Sequence, residues 1–278
     1  MTGRAVSTVL DVTLALLLVS AGTVVLATAP SPPNDTGPGP ARTAANLLST
    51  TDATVEYRHS TGGAEPERRT ANGTVATLLA DAALVDARTG GTPPFVERVE
   101  NATERTVRRV TPRAQVVAVW TPYPGAPVVG RVAAGRRPPP DADVDAVTLT
   151  VPVGTASGDA FEANQPQHTA TDGFGPLARN VSRDVVGTLF PPAGAHPLQG
   201  TERVRQSTRA ALTGFAEQRG VTLPGLSTSR TGPVNRRLAD ALTPVVRADL
   251  ERRFESPRAA AAALTGGHVT VVVRTWSR

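Results

Sequence analysis

Asp145-Ala146-Val147-Thr148-Leu149-Thr150-Val151-Pro152-Val153 is the stretch that decides the fold class. Val147, Leu149 and Val151 alternate with Thr148 and Thr150, which is the period-2 pattern of a strand buried on one face. Gln115–Trp120 and His268–Trp276 are Val-rich, β-branched runs and read as further strands, with a short one over Ala53–Arg58. Outside these runs the spacing becomes helical. A helix starts within Ala44–Ser49, and Asn72–Arg88 is rich in Ala and Leu. In Pro94–Val110 the apolar Val96, Val99, Val107 and Val110 share a face, and Glu104 precedes Arg108 at i, i+4. In Thr201–Arg219, Val204, Ala211, Leu212 and Phe215 come together. Pro176, Pro233, Pro244 and Pro257 are each expected to open a helix, with Thr243 and Ser256 as N-caps of the last two. Gly266-Gly267 ends the final helical run. Pro/Gly/Arg-rich loops fill Thr121–Pro127 and Gly135–Pro140, and a long polar loop is expected over Gly154–Gly175. The result is an α+β domain, a small antiparallel sheet with helices packed on one side.

Composition narrows the chemistry. The chain of 278 residues has no cysteine, which excludes disulfides, zinc ribbons and thiol nucleophiles. All 29 basic residues are arginine. P-loop, Schiff-base and Ser-x-x-Lys lysines are therefore excluded. Aromatic residues make up 4%, too few for a stacking platform, so no nucleic-acid partner is expected. The net charge of +5 is a weak field over this length.

The N-terminus carries the strongest localisation signal. Arg4 precedes an apolar stretch from Ala5 to Ala29 that is interrupted only by Asp11, and Val12–Ala29 is 18 residues without a charge. With Ala5–Leu10 included, the stretch reaches the ~20 residues needed to cross a bilayer. Val12, Leu14, Leu16, Leu17, Leu18, Val19, Val24, Val25 and Leu26 form the apolar surface of this anchor. Arg4 places the N-terminus in the cytoplasm and the remainder outside the cell membrane. Leu26-Ala27-Thr28-Ala29 also resembles a signal-peptidase site, so removal of the segment stays open. Asp11 and the small residues Ser20, Ala21 and Gly22 are candidates for contact with partner helices. Residues 30–41 are a stiff Pro/Gly-rich spacer. The chain therefore divides into an anchor over 1–29, a linker over 30–41 and an extracellular α+β domain over 42–278.

Arg4-Ala5-Val6-Ser7-Thr8-Val9 is similar to the start of haloarchaeal type IV pilins, which open with a basic residue, a small residue and Val-Ser-Pro-Val-Ile before a long apolar helix. Thr8 stands where those pilins carry Pro, and Asp11 where they usually carry Gly. Arg4–Leu26 and the ending Val271–Trp276 resemble uncharacterised haloarchaeal proteins associated with type IV pilus or Tad-like secretion machinery. The resemblance implies a pilin-like accessory component with processing at Arg4, Ala5 and Val6, where cleavage after Ala5 retains the helix. It also implies pilus or secretion proteins as partners alongside the lipid bilayer.

No catalytic constellation emerges. His59, His168, His196 and His268 are dispersed, and no serine occupies a G-x-S-x-G elbow. Asp141, Asp143 and Asp145 open like a calcium loop, but Ala146 replaces the required glycine. No metal or cofactor is expected. Asn34, Asn72, Asn101 and Asn180 lie in Asn-x-Ser/Thr sequons, candidates for glycosylation. The Tyr123 ring in Pro122-Tyr123-Pro124 is either part of a proline-rich turn or a stacking surface for a partner. Arg108-Arg109, Arg136-Arg137 and Arg252-Arg253 support a second reading, a binding module for an anionic ligand. A secreted hydrolase is a third.

Overall fold

The computed structural model describes residues 39–59, 67–153, 173–191, 202–221, 231–264 and 267–277. The elements in chain order are α1 (Pro40–Thr50), β1 (Asp52–His59), β2 (Glu67–Thr74), α2 (Val75–Thr89), α3 (Pro94–Val107), β3 (Ala114–Trp120), β4 (Gly130–Gly135) and β5 (Val144–Pro152), followed by α4 (Phe174–Leu189), α5 (Glu202–Glu217), α6 (Thr231–Arg253), α7 (Pro257–Ala262) and β6 (His268–Trp276). The fold is α+β. β1 and β2 pair as a two-stranded antiparallel sheet. The other four strands form a sheet of order β4-β3-β6-β5, antiparallel throughout. The C-terminal strand β6 thus lies between β3 and β5, and β5 takes its ladder from β6.

One face of the sheet packs into the core, and the central strand β3 is buried on both faces. Val116, Ala118 and Trp120 of β3, Val132 of β4 and Val269, Val271 and Val273 of β6 join a core with Ala44 and Leu48 of α1, Leu78 and Leu79 of α2, and Val96 and Val99 of α3. Burying each of the larger side chains contributes about 1.5–3 kcal/mol. The alternation in the opening stretch appears as expected, with Val147, Leu149 and Val151 half-buried and Thr148 and Thr150 exposed. β6 alternates in the same way. Beyond this layer α4 and α6 pack along each other, burying Leu177, Val181, Leu238 and Leu242.

Two strands escape a pattern reading. β2 (Glu67–Thr74) has neither apolar alternation nor β-branched density, and its partner β1 imposes its register. β4 contains Gly130, Ala133, Ala134 and Gly135, residues of low strand propensity that are held by pairing with β3. Two helix expectations also fail. Pro244 does not open a helix but lies inside the 23-residue α6, on its exposed side, where the unbonded carbonyl four residues back faces solvent. Thr243 is accordingly no N-cap, and its hydroxyl donates to the Ala239 carbonyl at 2.8 Å. Pro176 and Pro233 are third in their helices, where the missing N–H has no intrahelical acceptor to lose. Ser256 caps α7 as expected, accepting from Ala259 N–H at 3.2 Å. Phe174 and Gly175 belong to α4, not to the polar loop, whose residues 154–172 lie outside the described residues. Gly266 also lies outside them.

Candidate functional site

The most concentrated polar chemistry sits where α6 meets the β3–β4 loop. Tyr123-Pro124-Gly125-Ala126 is a tight turn closed by Ala126 N–H donating to the Tyr123 carbonyl at 3.1 Å. Gly125 has φ +75°, which only glycine adopts without strain in the third position of a type II turn. The turn drives Tyr123 inward until it is 1% exposed, and Phe254 packs edge-on against its ring at 6.3 Å. Asp249 of α6, 3% exposed, meets the phenol. Its Oδ2 accepts from Tyr123 Oη at 3.0 Å and from Arg253 Nε at 2.8 Å, and its Oδ1 accepts from Arg252 Nη2 at 2.7 Å. Burial first, and then the Asp249 charge, push the Tyr123 hydroxyl well above its ordinary pKa, so it remains a donor. Both carboxylate oxygens are engaged and the phenol is enclosed. The cluster therefore ties a loop to a helix. The burial of Tyr123 overturns the idea that it stacks on a partner.

A second cluster is open to solvent. Along one stripe of α3 and the turn that follows it, Ala102, Arg105, Thr106 and Arg109 face Thr51, Asp52, Ala53 and Thr54 across a groove of about 440 Å³. Thr106 donates to the Ala102 carbonyl at 3.0 Å and Thr54 to Asn72 Oδ1 at 2.8 Å, so both hydroxyls are committed. Arg108 pairs with Glu104 at 2.7 Å, as the spacing predicts. Among the described residues, Arg105 and Arg109 have no ion pair. Two guanidinium groups one helical turn apart present donor forks to a carboxylate or phosphate, with Asp52 on the opposite wall.

The structure therefore separates the three arginine pairs. Arg109 lines the groove while Arg108 turns to Glu104. Arg136 and Arg137 are exposed in the loop before β5. Arg252 and Arg253 bend back to Asp249. Asp249 and Arg105 are absent from the sequence candidates. Asp249-Leu250-Glu251-Arg252-Arg253 does carry the i, i+3, i+4 spacing of a local ion pair, but its third donor, Tyr123, is far away in sequence.

Asn72 and Asn101 are exposed, on β2 and α3, while Asn180 is half-buried on α4. The hydroxyls of all three sequons serve or sit within the fold. Thr74 caps α2, Thr103 is buried and donates to the Val99 carbonyl at 2.8 Å, and Ser182 is fully buried. Asn34, Arg4, Ala5, Val6, Asp11, Ser20, Gly22 and the apolar anchor residues lie outside the described residues. Among the described residues no helix is long and apolar enough to cross a membrane, and no group of three His, Cys, Asp or Glu is placed to hold a metal ion.

Neither a curated protein nor a solved structure matches the chain. One family does, over residues 10–276, and the chain belongs to it: DUF7284, a family of unknown function.

Proposed function

We propose that this chain is a non-enzymatic, single-pass membrane-anchored surface protein, an accessory or minor pilin-like component of an archaeal type IV pilus or secretion system. One observation carries the reading. Arg4 and the uncharged run Val12–Ala29 precede a proline-rich spacer, and a unit with its own core begins at Pro40. That order suits a domain held off a bilayer by an apolar helix. The helix associates with partner helices through Asp11, Ser20 and Gly22. Intact-mass measurement on protein from native membranes tests it. Retention of the apolar run, with or without loss of the first five residues, is expected, together with digestion of the ectodomain by protease added to intact cells. Loss of about 29 residues, the position of the alternative cleavage site, overturns the anchor.

A second reading is favoured by the Arg105–Arg109 groove, a binding site for an anionic group. Titration with inorganic phosphate at low and high salt tests it. Salt-sensitive binding lost in Arg105→Ala supports it, and no saturable binding removes it.

A further inference from the structure

The two edges of the four-stranded sheet are treated differently. On β4 the outward-facing amides belong to Arg131 and Ala133. Asp86 Oδ2 of α2 accepts from Arg131 N–H at 2.8 Å, and the Glu100 carboxyl of α3 accepts from Ala133 N–H. That edge is closed by two helix carboxylates. The hairpin β1–β2 carries Asp52, Glu56, Arg58, Glu67, Arg68 and Arg69, a density of charge that opposes edge pairing.

β5 has neither protection. Ser277 N–H donates to the Asp143 carbonyl and Val153 N–H to the Gly267 carbonyl, which fixes the odd-numbered residues of β5 as those bonded to β6. The N–H and C=O groups of Val144, Ala146, Thr148 and Thr150 therefore point away from the sheet, and among the described residues nothing bonds to them. The strand is nine residues long and carries one charge, Asp145. Its inward-facing Val147, Leu149 and Val151 are only half-buried, whereas Val269, Val271 and Val273 beside them are 0% exposed. A row of apolar side chains thus stops short at an open ladder.

We propose that β5 pairs with β5 of a second copy of this chain, antiparallel across a two-fold axis, joining two four-stranded sheets into one of eight strands. The strand is its own complement. Overlap of all of Val144–Pro152 requires the axis to pass at Thr148, their midpoint, so Thr148 meets its own counterpart and Ala146 meets Thr150 of the other copy. Those are residues with outward-facing N–H and C=O groups, so the ladder forms without a shift, and only the end pairs of Val144 with Pro152 lack one bond, because proline has no N–H. Val147 then lies opposite Leu149 of the other copy, extending the half-buried row. Asp145 falls opposite Val151, whereas parallel in-register pairing would set Asp145 against Asp145 and the Asp141–Asp143 turns side by side. Each β5 also brings its own α1 beside it, so the added strand arrives with part of its inner face covered. A lone peptide strand would bring no such cover.

The absence of cysteine makes single-cysteine reporters clean. In the full-length chain, Thr148→Cys places two thiols on a hydrogen-bonded pair with Cα atoms about 5.5 Å apart. That separation is inside the range of about 4.4–6.8 Å that a disulfide spans. Mild oxidation should give a covalent dimer of twice the chain mass. Ala146→Cys and Thr150→Cys should cross-link mainly when mixed, and Arg131→Cys on the closed edge should give no covalent dimer. Thr148→Pro removes an N–H that faces outward and none that bonds β6. It should keep the circular dichroism of the parent while light scattering falls to the monomer mass. The proposal is overturned if Thr148→Cys reacts freely with maleimide yet gives no dimer. A cross-linked product of a different mass, or a dimer that persists in Thr148→Pro, also overturns it.

Discussion

Two sets of carboxylates tie helices to the sheet region, and they work in opposite environments. Asp249 is 3% exposed and accepts from three side chains, one of them 126 residues away in sequence. Asp86 and Glu100 are half-buried, and each accepts from a β4 backbone amide. The loop that Asp249 holds has no ladder of its own. β4 already has one, to β3. A buried charge persists only where its hydrogen-bonding capacity is filled, and it then becomes the point on which a loop depends. A charge at a strand edge adds a bond to a structure that stands without it.

The sharpest way to break this contrast is Asp249→Ala. It leaves the Tyr123 hydroxyl buried without an acceptor and takes the pair from Arg252 and Arg253, which stay partly in water, and an unsatisfied buried donor costs about 1–3 kcal/mol. Denaturant unfolding should show a loss of that size. Tyr123→Phe deletes donor and need together and should cost less, about 1 kcal/mol. If Asp249→Ala unfolds within a few tenths of a kcal/mol of the parent, the cluster is peripheral to the fold.

Gly130→Ala tests the other side of the comparison through packing. Gly130 is on β4, and a Cβ there would meet the Ala83 carbonyl of α2 and come within 2.9 Å of the Ala87 Cβ. The backbone must move, because a carbonyl cannot rotate away as a side chain does. The expected loss is about 1–3 kcal/mol. Since Asp86 rides on the same helix, hydrogen exchange at Arg131 N–H should accelerate in the variant. Unchanged exchange would mean that α2 and β4 shift together and the edge contact survives.

The pattern of burial explains what the sequence revealed. β5 and β6 alternate because one face is wet, and α3 shows its valine stripe because its opposite face is charged. β2 and β4 lack such a signature: Gly130 is there for the close approach of α2, which only the folded neighbour defines. Pro244 misled because proline at a helix start and proline on the wet side of a long helix look alike locally. Asp249 and Tyr123 were legible separately, one as a helix charge and the other as a turn residue. Their pairing was not, since nothing local brings residues 126 apart together. The open edge of β5 was equally hidden, because strand order is a property of the sheet and not of the strand.

The smallest expected effect sharpens the comparison by its sign. Burial, with smaller contributions from the nearby Asp86 and Glu97 charges, raises the Glu100 carboxyl above its ordinary value of 4.5, although the Ala133 N–H bond opposes this. A carboxyl raised by folding costs stability while ionised. The cost is full above the folded pKa, shrinks as pH falls through it and is gone below 4.5, where the folded and unfolded chains are both protonated. Glu100→Gln keeps an oxygen to accept from Ala133 N–H and cannot ionise. The variant should therefore melt slightly higher than the parent at neutral pH, and the gap should close on acidification to about pH 4. A satisfied, buried carboxylate would respond to amide substitution with a loss, so Asp249→Asn should melt lower at neutral pH. If Glu100→Gln also melts lower at neutral pH, its charge strengthens the bond to β4 more than burial penalises it, and the two kinds of carboxylate act alike.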